Sequence, residues 1–335
     1  MKKRVYEISV LNVLFALLVI FIHVSSNPVS VLDKTQLPYM AVLSLWRLSS
    51  FVVQGFIFLS GFKMFFGRKD KFEPGKFYFG KVKNIILPYI LWVVIFYFYF
   101  RIRGFVPEQN HFTAIVRHIF VGDLVGHFYF IPIIVQFYIL APLWNILEKK
   151  VKPAIAIAAS LAVMFACIAV LENFMYTDRI FTTYLFYFVT GIYAGANYDK
   201  FVSLIKKYFG VLAGIFAITA TLNVVLTYIS FSRIRHIPYL EYIHIAYCIS
   251  AIFFCYGVAL KASKIAENKL VKNIDRASYY IYLIHPLFIY VIDHIMYMKG
   301  ISSVRYTYPI RTAFVYLVTL ILCIGYTKIK SRYKR

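Results

Sequence analysis

A histidine, His23, stands near the far end of the apolar stretch Val10 to Ser26, which reads VLNVLFALLVIFIHVSS. Counted along a helix it lies about 16 residues in, roughly 24 Å from the start at about 1.5 Å per residue. A charge buried at membrane depth costs about 3 kcal/mol or more, so an ionisable ring in such a stretch asks what its proton is for. The ring could act as a general base toward a hydroxyl arriving from the far side, or serve as a hydrogen-bond partner between helices. Asp293 lies about 16 residues into a later apolar stretch, at the same expected depth on the same rise per residue. A carboxylate there could orient an imidazole as the third member of a triad does.

Other reactive types recur inside apolar runs. Ser60 and Gly61, in Phe56-Ile57-Phe58-Leu59-Ser60-Gly61-Phe62, would let another backbone or a slender ligand approach closely. Lys81 and Lys83 precede Asn84-Ile85-Ile86-Leu87-Pro88-Tyr89-Ile90-Leu91-Trp92, where they could attract a phosphorylated cytosolic ligand or simply mark a cytoplasmic loop. His127 opens Gly126-His127-Phe128-Tyr129-Phe130-Ile131-Pro132 at the outer edge of a span. His285 precedes Pro286 in Ser278-Tyr279-Tyr280-Ile281-Tyr282-Leu283-Ile284-His285-Pro286, about 8 residues and roughly 12 Å into its apolar run. That proline should free a carbonyl one turn earlier and bend the helix. The four cysteines, Cys167, Cys248, Cys255 and Cys323, all lie in apolar runs without metal-ligand or redox spacing. They read as packing residues, and nothing calls for a metal.

The elements that position these groups must be membrane helices. The 335 residues are 61% hydrophobic and only 15% charged, where soluble domains run nearer a quarter charged. Apolar runs appear at 8–27, 46–66, 84–101, 127–147, 153–172, 179–198, 209–231, 240–260, 277–298 and 309–327. The expected class is all-α and polytopic, with about ten transmembrane helices. Met1-Lys2-Lys3-Arg4 before the first run imitates a signal peptide, but no small-residue cleavage site follows, so it reads as a retained first helix. Residues 1–335 read as one transmembrane domain with no separate soluble domain.

Charge sets the expected orientation. With the N-terminus in the cytoplasm, alternate segments collect 26 of the 37 Lys and Arg residues on the inner side. This is the positive-inside pattern for an even number of spans with both termini cytoplasmic. The net charge of +23 is thereby assigned to membrane orientation, not to nucleic acid. Nine of the eleven outer basic residues are Arg, among them Arg47 and Arg117. The guanidinium fork suits carboxylate, phosphate or sugar oxygens in a substrate cleft, or it snorkels to lipid phosphate.

Taken in order, the histidine of the first span, FIFLSGF, the basic residues before ILPYILW, HFYFIPIIVQFYILAPL and SYYIYLIHP resemble the acyltransferase-3 family of bacterial integral-membrane acyltransferases. The resemblance implies transfer of an acyl group, usually acetyl, from cytosolic acyl-CoA to a hydroxyl of an extracytoplasmic sugar or polysaccharide. It implies localisation in the bacterial inner membrane, acyl-CoA (acetyl-CoA) as donor substrate, and a cell-surface glycan or lipid-linked sugar as acceptor. The family's essential histidine matches His23, and its serine-glycine, basic pre-helix and second-histidine motifs match Ser60-Gly61, Lys83 and His285. The family pattern has an Arg eleven positions before the first histidine, where this chain has Asn12. On this reading His23 and Asp293 are catalytic. Asn12, Ser60, Gly61, Lys81, Lys83, His127, His285, Arg47 and Arg117 contact donor or acceptor. The alternative is a transporter or exporter of a polysaccharide or lipid-linked sugar, against which stands the lack of a sequence repeat between the two halves.

Overall fold

The computed structural model describes residues 5–68, 72–106 and 110–332. Lys2–Arg4, Lys69, Lys71, Lys334 and Arg335, which enter the charge count, lie outside the described residues. Regular structure among the described residues is helical throughout. In chain order the helices are α1 Tyr6–Val31, α2 Leu37–Ser49, α3 Val52–Phe65, α4 Pro74–Lys81 and α5 Leu87–Ile102. They continue with α6 His111–Val121, α7 Phe130–Ile139, α8 Ala141–Lys150, α9 Pro153–Val170 and α10 Leu185–Ala196. The last five are α11 Tyr198–Lys207, α12 Phe209–Phe231, α13 Leu240–Lys261, α14 Lys269–Met298 and α15 Val304–Arg332.

Eight helical stretches among the described residues are long and apolar enough to cross a membrane, nine if the bent pair α7–α8 counts as one. About ten were expected, and the shortfall has a local cause. The run 179–198 begins as 3₁₀ turns, Thr177–Arg179 and Phe181–Tyr184, and its continuous α-helix is the 12 residues of α10. Thr177 and Thr183 turn their hydroxyls onto the carbonyls of Phe174 and Ile180, competing with the α-helical ladder there. The span expected at 127–147 is bent by 60° at Leu140, where Pro142 can supply no N–H. The Trp144 indole donates to the Phe137 carbonyl at 2.7 Å across that break.

The chain forms two compact units, Met1–Phe56 with Val202–Arg335, and Ile57–Phe201. In the first, α14 packs on α15 and α1, while α12 packs on α13 and α2. Buried Ala16, Ile20 and Val24 of α1 meet Ala277 and Ile281 of α14 and Val315 of α15. α14 begins at Lys269, eight residues before the apolar run, because the Asn268 side chain accepts from Leu270 N at 2.7 Å and caps the helix.

In the second unit, α3 and α10 approach until their backbones touch. A Cβ on Gly61 would strike the Phe188 carbonyl, and Cβ atoms on Gly191 and Gly195 would strike those of Phe58 and Phe62. Gly191 and Gly195 stand one turn apart, the small-xxx-small spacing that permits close helix crossing. Between α4 and α5 the ladder widens into a π segment, Val82–Ile86, with Leu87 N donating to Val82 O. Pro88 cannot donate to the Asn84 carbonyl, and the extra residue per turn absorbs that missing bond.

Candidate active site

The register between α1 and α14 builds the site. Both helices run in the same direction, as two pairings show. Asn12, six residues past the start of α1, donates from Nδ2 to Asp275 Oδ1 at 2.8 Å; Asp275 is likewise six residues into α14. Three turns on, His23 meets His285, with ring centroids 5.1 Å apart and planes inclined at 47°. The expectation that His285 sits well below His23 is corrected here. Counting from the capped start at Lys269 doubles its depth to roughly 24 Å, level with His23.

Pro286 gives His285 its role in the backbone. The proline leaves the Tyr282 carbonyl without its i+4 donor, and His285 Nδ1 takes that place at 3.0 Å, shared with Ile281 O at 3.0 Å. Both partners are acceptors, so the proton is on Nδ1 and the lone pair on Nε2. His285 is wholly buried and its ring direction is fixed by the helix. His23 is half-buried, with its ring against the buried imidazole of His285. The arrangement suits a proton-transfer pair: a candidate base backed by a neutral imidazole of defined tautomer.

Asp293 lies two turns beyond His285, not at the level of His23 as expected. The error has the same origin, the helix start. Its Oδ1 accepts from Arg311 Nε at 2.6 Å, and Arg311 Nη1 reaches Asn27 Oδ1, one turn past His23, at 3.4 Å. The Arg311 side chain is 6% exposed against 37% for Asp293. Asp293→Asn is expected to lower stability by about 1–3 kcal/mol, since it strands a buried guanidinium. Adding Arg311→Met should recover most of that loss in a thermal melt. An orienting carboxylate would instead lose turnover at unchanged stability.

The remaining expected residues are placed as follows. Arg47, on α2, donates from Nε to Asn223 Oδ1 of α12 at 3.0 Å. In the Ile57–Phe201 unit Gly61 is buried at the α3–α10 backbone contact and Ser60 beside it is half-buried. Lys81 and Lys83 point to different sides of the helical path. The Lys81 ammonium lies 3.8 Å from the Tyr138 ring centre, and exposed Lys83 lies 5.9 Å from that of Phe79. His127 is 3% exposed, its ring 4.4 Å from that of Phe128. Arg117, exposed on α6, donates to Asp123 Oδ2 at 2.6 Å, and His118 holds the other oxygen. A hydrogen bond to Tyr176 and the neighbouring Asp123 charge push the Arg117 pKa up. Asp275, Asn27 and Arg311 were not singled out as site residues from the sequence. For Asn27 and Asp275 the signal was polarity recurring at helical spacing from His23 and His285; Arg311, on α15, carried no such spacing.

A family model described as "Acyltransferase domain" matches residues 5–328. The "Putative membrane-bound acyltransferase YfiQ" of Bacillus subtilis (strain 168) is 24% identical over 303 residues, covering 86% of this chain and 82% of the relative. The "Probable poly-beta-1,6-N-acetyl-D-glucosamine export protein" of Staphylococcus aureus (strain Mu50 / ATCC 700699) is 23% identical over 228 residues, covering 62% of this chain and 60% of that protein. No solved structure matches the chain. The ordered motifs, the helical membrane fold and the match over nearly the whole length agree: the chain belongs to the acyltransferase-3 family.

Proposed function

We propose that this protein is an acyl-CoA-dependent O-acyltransferase of the bacterial inner membrane, with both termini in the cytoplasm and the chain working as one acyltransferase domain. It moves an acetyl group from cytosolic acetyl-CoA to a hydroxyl of a cell-surface polysaccharide or lipid-linked sugar. The observation that carries this reading is the His23–His285 pair at one level of two parallel helices. His23 takes the proton of the acceptor hydroxyl as its oxygen attacks the thioester carbonyl carbon. The C–S bond then breaks, and the protonated imidazole returns the proton to the departing thiolate, so CoA leaves as the thiol. His285 supports the base through its fixed Nε2 lone pair. Lys81 and Lys83 attract the donor's phosphates as point charges, and Arg117 and His127 serve the acceptor side.

The name of the staphylococcal relative favours a second reading, export of a polysaccharide. Ester analysis of envelope glycan from cells with and without the protein separates the two. Transfer predicts acetyl ester on the glycan that disappears with the protein and with His23→Ala. Export predicts a changed amount of surface glycan at constant ester content per sugar.

A further inference from the structure

Two arginines of the first unit, Arg311 and Arg47, are treated differently. Arg311 is met by the Asp293 carboxylate. Arg47 stands ten residues past the start of α2, about 15 Å along it. No carboxylate among the described residues lies within ion-pair distance of Arg47. Glu241, exposed near the start of α13, acts on it only from farther away. A guanidinium at membrane depth without a counter-charge is costly, and such residues characteristically mark a polar path or ligand.

The groups around Arg47 add no negative charge. Asn223 Oδ1 accepts from Arg47 Nε at 3.0 Å and faces His244 Nδ1 at 3.3 Å. An amide oxygen only accepts, so the His244 proton is on Nδ1. His244 Nε2 then accepts the Cys248 thiol proton, with sulfur and nitrogen 3.4 Å apart. The chain Cys248–His244–Asn223–Arg47 is thus neutral apart from the guanidinium. Two buried polar atoms of α12 beside this chain are left over. Asn223 Nδ2 and Thr227 Oγ1, one turn apart on α12 and both on residues of 0% exposure, have no hydrogen-bond partner among the described residues. An amide donor, a hydroxyl and the remaining guanidinium N–H groups make the complement of an oxyanion. Trp46, adjacent to Arg47, packs on Phe231 with ring centroids 6.2 Å apart and supplies an apolar wall for an attached chain.

We propose that Arg47, Asn223 and Thr227 form a binding site for a phosphate-class oxyanion, carried by a lipid or free in solution. The site does not depend on the acyl-transfer reading, and its test needs no turnover. The full chain, in phosphate-free maltoside micelles, is titrated with dioctanoyl phosphatidic acid, with dioctanoylglycerol and with inorganic phosphate, following thermal midpoint and phosphorus NMR. A saturable response to phosphatidic acid but not to dioctanoylglycerol is expected, weakened about thirtyfold or more in Arg47→Gln. Asn223→Asp, which places a carboxylate against the guanidinium, should raise the midpoint without ligand and abolish the response. It serves as the second variant should Arg47→Gln not fold. A response to phosphatidic acid alone supports a lipid-borne phosphate, and an equal response to inorganic phosphate supports the free anion. No response to either phosphate, or one retained in both variants, overturns the site.

Discussion

His23→Ala is expected to lower acyl transfer by about 10²–10⁴-fold, the usual contribution of a positioned general base, while the protein stays folded. The side of α1 that holds the helix in place is apolar, through Ala16, Ile20 and Val24, and His23 itself is only half-buried. Removing its ring takes away a proton acceptor and its contact with the His285 ring, and leaves that apolar face in place. His285→Ala should cost stability as well, about 1–3 kcal/mol, because it strips the Tyr282 carbonyl of the donor that replaced the proline's missing N–H. The pair of variants separates the two roles. His23 fails in kcat with an unchanged thermal midpoint, whereas His285 fails in both.

The other large effect is expected at the helix crossing of the Ile57–Phe201 unit. Even a methyl group at Gly61 or Gly191 would meet a backbone carbonyl of the facing helix, which cannot swing aside as a side chain can. Gly61→Ala should therefore destabilise by about 1–3 kcal/mol as an overpacked contact, and Gly191→Leu should yield little folded protein. Thermal melts and the yield of monodisperse protein in detergent measure this. Ser60 and Gly61 were open to two readings from sequence, a backbone neighbour or a slender ligand, and the structure supplies the backbone neighbour. Gly61→Ala with full stability and lost turnover would restore the ligand.

Much of this was legible in the order of residues. Apolar runs gave the membrane class, and the carbonyl that Pro286 leaves without its donor is that of Tyr282, one turn earlier as expected. What the runs hid were the true helix starts. α14 extends through Asn268-capped, charged sequence that hydropathy does not count, and this one omission misplaced both His285 and Asp293. It also concealed the parallel register that aligns Asn12 with Asp275. Asn12, where the resemblance implies an Arg, donates to an acid on α14 without bringing a charge. The break at Leu140 and the 3₁₀ start of the run 179–198 were invisible because composition does not report which carbonyl a threonine or tryptophan will claim.

The central claim is acyl transfer at His23, and acceptor-dependent release of CoA tests it most directly. Purified protein in liposomes would receive labelled acetyl-CoA on the face bearing the chain termini and sugar acceptors, drawn from the host envelope, on the other. The account predicts CoA release that requires the acceptor, label appearing on a sugar hydroxyl as an ester, and loss of both in His23→Ala. Release that persists unchanged in His23→Ala, or no turnover across the acceptor panel from a folded protein, would contradict it.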